Sequence, residues 1–256
     1  MSLIDDKPVL RVLIDSPLPG AWNMAVDEAI LEAVGHGNSP PTLRFYQWDE
    51  PTISLGYFQK YEETAQQDEV IRKMPIVRRQ TGGGAILHDD ELTYSLILPL
   101  NQPSSPFDSI ESIYQLVHDA FIDVLAQLGI SAQYRRGPSQ ENAQRGPFFC
   151  FARRHRLDLV VAGVKILGSA QRRTKLAALQ HGSLILGRNF PQQPAAALKN
   201  EIQTPFDLPI FIEKLSSHIA DQLNFQTVPG ELTPEEKKQA KDLQKKYTGP
   251  EWNCQR

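Results

Sequence analysis

Residues 157–187 read LDLVVAGVKILGSAQRRTKLAALQHGSLILG. Apolar and polar positions alternate on both sides of Ala162-Gly163, a pair suited to the two-residue turn of a β-hairpin. The run from Leu159 and the run from Val164 are therefore expected as antiparallel neighbours, and LAALQHGSLILG (176–187) reads as the next strand. Upstream, LTYSLILPL (92–100) is strongly strand-like, and TLRFYQW (42–48), TISLGYF (52–58) and PIVRRQ (75–80) are shorter β-prone runs.

Helical patterns surround these strands. NMAVDEAILEAVGHG (23–37) places Met24, Ala25, Ile30, Leu31 and Val34 on one side, with Asn23 as N-cap and Gly35 as stop. Residues 60–73 are polar and helix-like, and 109–129 keep near-helical spacing from Ile110 to Leu128. The C-terminal segment, about 207–250, reads as helical, with Thr233 as N-cap, Pro234 at the first helical position and Glu236 three residues after the cap. The polar, turn-rich run 131–146 is expected to be a mobile loop leading to Cys150. No linker or repeat divides the 256 residues, so the expectation is one catalytic domain over 1–256, α+β or mixed α/β, with a partly antiparallel sheet flanked by helices.

Composition excludes several function classes. A net charge of -3 supplies no global basic field, so nucleic acid is not expected as a partner. No apolar stretch reaches the roughly 20 residues that a membrane helix needs, and the N-terminus lacks the apolar core of a secretory signal. A cytoplasmic protein is expected. Cys150 and Cys254 lie far apart without metal-ligand spacing, so neither a zinc site nor a disulfide framework is expected and Cys150 should be a free thiol.

Three segments carry candidate chemistry. In VRRQTGGGAILHDD (77–90), three consecutive glycines suit a place where the main chain approaches a ligand or a neighbouring strand closely. Arg78, Arg79, His88 and Asp89 surround it with groups able to grip a carboxylate, phosphate or thioester carbonyl. GVKILGSAQRR (163–173) ends its strand run in small residues that let backbone N–H groups face a ligand. Lys165 in it would simply point to water on an isolated alternating strand. In LQHGSLIL (179–186), His181 precedes another Gly-Ser; a lone strand histidine is more often structural than catalytic.

RRQTGGGAILHD, KILGSAQ and QHGSL, in this order after WNMAVDEAIL and LRFYQW, resemble the lipoate-protein ligase and octanoyltransferase family from about residue 10 to 190. The resemblance implies a mixed sheet of the kind shared with biotin protein ligases and a hydrophobic tunnel for an eight-carbon acyl chain. It implies that Arg79, Thr81, Gly82, Gly83, Gly84 and His88 line the acyl site, that Lys165 contacts the acyl carbonyl region, and that Gly168, Ser169, Ala170, His181 and Gly182 belong to the same substrate-binding set. The glycine/arginine phosphate loop of biotin ligases is missing, which disfavours biotin.

PFFCFA (147–152) alone reads as core around a small hydrophobe. Its cysteine followed fifteen residues later by the lysine of GVKILGSAQ resembles the octanoyltransferases and amidotransferases of Gram-positive bacteria, which use that cysteine as acyl acceptor. Physical chemistry agrees, because a thiolate exchanges with a thioester at nearly equal energy, without ATP, and splits acyl transfer to a lysine into two steps. A neighbouring ammonium would stabilise the thiolate and the oxyanion, so Cys150 and Lys165 are the expected catalytic pair. His88 or His181 is a candidate base.

The expected donor is octanoyl-acyl carrier protein, and the expected acceptor a lipoyl-domain protein such as the glycine cleavage H protein. The basic run ARRHR (152–156), extended by Arg135 and Arg136, would receive an acidic carrier. No cofactor is expected. An ATP-dependent lipoate ligase, or its catalytic subunit, is the alternative; the roughly 65 residues after the last motif are too few for the added domain of classical ligases, which weakens it, although some ligases supply that domain as a separate polypeptide. Transfer between lipoyl domains is a further alternative.

Overall fold

A computed structural model describes residues 7–100, 109–136, 147–187, 190–203 and 205–255; much of the run expected as a mobile loop, 137–146, lies outside these residues. In chain order the first half holds β1 (Val9–Ile14), α1 (Gly20–Gly35), β2 (Thr42–Tyr46), β3 (Thr52–Leu55), α2 (Glu69–Arg72), β4 (Ile76–Arg78), β5 (Ile86–His88), β6 (Glu91–Pro99) and α3 (Ile110–Gln127). There follow β7 (Gln133–Tyr134), β8 (Leu159–Val161), β9 (Val164–Arg173), β10 (Ala177–Ile185), α4 (Leu198–Glu201), α5 (Leu208–Leu223), β11 (Gln226–Pro229), α6 (Pro234–Thr248) and α7 (Pro250–Asn253). Single 3₁₀ runs occur at Tyr61–Gln66 and Cys150–Ala152.

Eight strands form the main sheet in the order β11-β1-β2-β6-β10-β9-β8-β7. β1 pairs in parallel with β2 and β11, and the remaining neighbours are antiparallel, so the sheet is mixed. The β8–β9 hairpin turns at Ala162 and Gly163, both at positive φ (48° and 82°), the combination a two-residue hairpin turn requires. β6 shows how the sheet divides the interior. Leu92, Tyr94, Leu96 and Leu98 join the core covered by α3 and α5, while Ile97 joins that of α1 and α6. The alternate positions Glu91, Thr93 and Ser95 are also buried, so polar side chains enter the interior in a row.

β4, β3 and β5 form a separate small sheet that carries the glycine turn at 82–84. β2 and β3, close in sequence, thus belong to different sheets.

Several local expectations are corrected. α1 begins at Gly20, and Asn23 is not its cap; the Asn23 amide donates to the carbonyls of Leu18 and Gln47 and its oxygen accepts from Arg44. Residues 61–72 form a 3₁₀ run and one short helix rather than a continuous helix. Gly168-Ser169-Ala170 lies inside β9 rather than at its end. Within the C-terminal segment β11 adds an edge strand, while Thr233 and Glu236 form the expected reciprocal cap, the kind of contact that stabilises a helix by about 1 kcal/mol.

Candidate active site

The glycine turn and the Cys150 segment are joined through their backbones. Ala85 N–H donates to the Phe148 carbonyl (2.8 Å) and Cys150 N–H donates to the Ala85 carbonyl (2.7 Å). Gly84 makes this approach possible, because a Cβ there would sit 2.6 Å from Arg153 Nε and 2.9 Å from Cys150 N. Phe149 and Phe151 are buried on either side, whereas Cys150 between them is half-buried at the start of its 3₁₀ run. The flanking rings anchor the segment and leave the sulfur accessible.

Lys165, on β9, does not point to water. Its side chain is 3 % exposed, and Nζ lies 2.8 Å from Asp158 Oδ1 and 3.7 Å from Cys150 Sγ. Gly168 makes room for it, since a Cβ at that position would lie 2.3 Å from Lys165 Cε. Burial opposes the charge on Lys165, but the Cys150 sulfur and the Asp158 carboxylate outweigh it and hold the ammonium above its ordinary pKa. Asp158 also accepts the backbone N–H of His155 (2.8 Å). Sequence reading missed Asp158; nothing in LDLVV separates it from an exposed strand residue, and only the hairpin register brings it to Lys165.

Two cavities meet at Cys150. The inner one is narrow, about 30 Å³, and is lined by Met24, Tyr46, Trp48, Ile86, Cys150 and polar groups from β9 and β10. The outer one, about 590 Å³, opens to solvent between Tyr114, Cys150, Lys165 and the basic run Arg153–Arg156. Gly83, Ser169 and Ala170 line both cavities, Arg79, His88, Gly168, His181 and Gly182 the inner, and Gly82 the outer. Thr81 lines neither and links Arg79 to His181, while Gly84 acts on the backbone beside Cys150.

The expectation that Arg78 and Arg79 grip substrate is corrected by their partners. Arg79 is fully enclosed, and its Nε donates to Thr81 Oγ1, its Nη1 to the Ser54 carbonyl and hydroxyl, and its Nη2 to the carbonyls of Gly82 and Gly84. A guanidinium has five N–H groups, so these bonds engage its full donor capacity. Burial lowers the Arg79 pKa to about 10, opposed by the nearby Cys150 sulfur. Arg78 is held by backbone carbonyls of Gly56, Gln59 and Asn253. Both arginines shape the glycine turn.

The histidines are similarly committed. His88 Nδ1 faces the Glu91 carboxylate (2.7 Å), its Nε2 meets the Ser54 hydroxyl (2.7 Å), and its ring stacks on Trp48. Burial lowers its pKa, against the pull of Glu91. His181 Nδ1 faces Asp27 (3.3 Å) and its Nε2 meets Thr81 (2.7 Å). Neither ring keeps an unengaged nitrogen to act as the candidate base. Asp27 also takes Arg44, Tyr46 and Ser95, which completes a buried polar frame beneath the inner cavity.

Among the described residues no helix is long and apolar enough to cross a membrane.

Comparison with known proteins agrees with this arrangement. The Octanoyltransferase LipM of Brevibacillus brevis is 36% identical over 96% of this chain and 99% of its own length. That of Clostridioides difficile is 34% identical over 96% and 98%. Among solved structures, a lipoate-protein ligase A bound with ATP shares the fold at TM-score 0.77 and 24% identity, over 95% of this chain and 98% of that one. A bi-partite lipoate protein ligase from Thermoplasma acidophilum, solved in a study that included its E2 lipoyl domain, shares it at TM-score 0.72 and 23% identity, over 97% and 96%. The profile of the lipoyl protein ligase A/B catalytic domain matches residues 19–229, and the chain belongs to that family.

Proposed function

We propose that this octanoyltransferase carries its acyl group on Cys150, taking it from octanoyl-acyl carrier protein and delivering it to a lysine of a lipoyl-domain protein such as the glycine cleavage H protein. The octanoyl specificity rests on the relatives of near-equal length, and the covalent route on one observation, the Cys150 sulfur 3.7 Å from the Lys165 ammonium where the two cavities meet.

In the first step the Cys150 thiolate attacks the thioester carbon, with the carrier arm in the outer cavity and the octanoyl tail entering at the largely apolar inner one, whose lining side chains part to admit it. The carbonyl oxygen gains negative charge beside Lys165, whose ammonium is held in place by Asp158. A fixed cation at such a position is worth about 3 kcal/mol, a factor of about 10² or more in rate. The carrier sulfur leaves as thiolate and takes up a proton. In the second step the lysine amine attacks the Cys150 thioester, and the C–S bond breaks as the amide forms. No phosphoanhydride is needed, since both acyl donors are thioesters.

The outer cavity is walled by Arg153, Arg154, His155 and Arg156, a local positive field suited to an acidic carrier protein on a chain of net charge -3. Incubation with octanoyl-acyl carrier protein in the absence of ATP is expected to yield one octanoyl adduct by intact mass, removed by hydroxylamine and absent from Cys150→Ser. If no adduct forms, while free octanoate plus ATP labels the acceptor domain, the chain is a ligase instead.

A further inference from the structure

His118, on α3, is fully buried and belongs to none of the sequence motifs. Its Nδ1 lies 2.7 Å from the Leu157 carbonyl, which can only accept, so Nδ1 carries the proton and Nε2 is an acceptor. Ser169 Oγ, 2.7 Å from Nε2, must then donate its hydrogen to His118. At the far end the Gln171 amide is fixed in the same way, because its Nε2 donates to the Ile110 carbonyl (2.8 Å) as well as to Gln180 Oε1 (2.7 Å). Gln180 Nε2 consequently donates to Tyr94 Oη (2.8 Å), and Tyr94 donates to Ser169 Oγ (2.6 Å).

Two backbone carbonyls thus set the direction of every hydrogen bond between them, from Gln171 through Gln180, Tyr94 and Ser169 to His118. Burial lowers the His118 pKa to about 4, so the neutral tautomer this direction requires persists at neutral pH. Gly182 completes the arrangement, since a Cβ there would lie 2.3 Å from Ser169 Oγ.

The consequence concerns substrate. A serine hydroxyl has one hydrogen and two lone pairs. Here the hydrogen goes to His118 and one lone pair to Tyr94, which leaves a single lone pair on a residue lining both cavities beside Cys150. Ser169 is therefore no donor to an oxyanion. Its lone pair suits an N–H group, and the amine that attacks a thioester must turn its own lone pair to the carbonyl carbon and its N–H groups elsewhere.

We propose that the directed chain holds Ser169 as an acceptor-only group that receives an N–H of the acceptor lysine as its amine attacks the Cys150 thioester. Ser169 is then a catalytic residue for the second half-reaction, and His118 a positioning residue that acts through it. The N–C bond forms, the C–S bond breaks with its electron pair on sulfur, and the surplus proton on nitrogen passes to that sulfur, restoring the thiol. This inference rests on the thioester route.

The half-reactions separate the possibilities. Loading is followed by intact mass with octanoyl-acyl carrier protein as probe, and delivery by mixing the isolated octanoyl-enzyme with an unmodified lipoyl domain. Ser169→Ala is expected to load within about twofold of the wild type and to deliver at least about tenfold more slowly, the scale of one lost hydrogen bond. His118→Gln, whose Oε1 can still take the Ser169 hydrogen, is expected to recover most of the delivery rate, whereas His118→Leu behaves as Ser169→Ala. The assignment is overturned if Ser169→Ala slows only loading, which would place a carrier-arm amide at Ser169. It is equally overturned if both steps slow together or neither changes. A wild-type protein that forms no hydroxylamine-labile adduct removes the thioester route itself and this role with it.

Discussion

Two polar regions face each other across the inner cavity, and they are built on opposite principles. In the frame beneath it, Asp27, Arg44, Tyr46, Ser95, His181, Thr81 and Arg79 bond to one another until little capacity remains. At Cys150, the sulfur has an ammonium at 3.7 Å and a half-exposed surface. Saturated networks in a low-dielectric interior hold shape, because each missing partner leaves a desolvated group unpaired. A reactive group needs the reverse, a field from its neighbours and one face left open to substrate. Polarity and burial are shared by both regions; what separates them is unspent bonding capacity.

Cys150→Ser tests the open region most severely. It is expected to reduce octanoyl transfer by about 10⁴-fold or more, the scale of losing a nucleophile, with an unchanged melting temperature. Transfer kinetics beside a thermal melt check both halves. Lys165→Met removes the cation and keeps the bulk, and transfer should fall by about 10²- to 10³-fold; a loss below fivefold would mean that Lys165 does not face the developing charge.

In the frame the effects should invert. Asp27→Ala strips a partner from Arg44, Tyr46, Ser95 and His181 together and is expected to destabilise folding by about 3 kcal/mol or more. Urea unfolding measures this, and a midpoint unmoved from wild type would show that the frame is not held by its charges. The pH response is a finer probe. His118 has a folded pKa depressed to about 4 against an ordinary 6.5, so the unfolded chain binds the extra proton. Its contribution is complete above pH 6.5 and is lost as pH falls towards 4, about 2 kcal/mol between pH 7.5 and 5. His118→Gln should flatten that part of the stability profile; a profile of unchanged slope would assign the acid sensitivity to other groups.

Much of this was legible in the chain. The Ala162-Gly163 hairpin, the β6 strand and the Thr233 cap follow from local patterns that tertiary packing did not override. The family resemblance came from three spaced loops, and the Cys150 to Lys165 spacing drew attention to the two residues that the structure brings together. Other features were hidden for identifiable reasons. Arg78 and Arg79 looked like substrate grips because an arginine beside a glycine loop has the same sequence whether its donors turn outward or into backbone carbonyls. Asp158 and His118 carried no signal, one in the residue before a strand and the other in an amphipathic helix, because their partners lie on elements far from them in sequence or come close only through strand register.

The sequence by itself determined the mixed α/β class, the hairpin that sets the sheet, the family and the thiol and amine on which its chemistry is proposed to turn. These depend on residue type and short-range spacing. Only the tertiary structure decided which polar groups are spent and which keep a hydrogen or a lone pair for a substrate. That property belongs to the partners around a side chain, and those partners are assembled by the sheet, from β6, β9, β10 and α3, across more than fifty residues of chain.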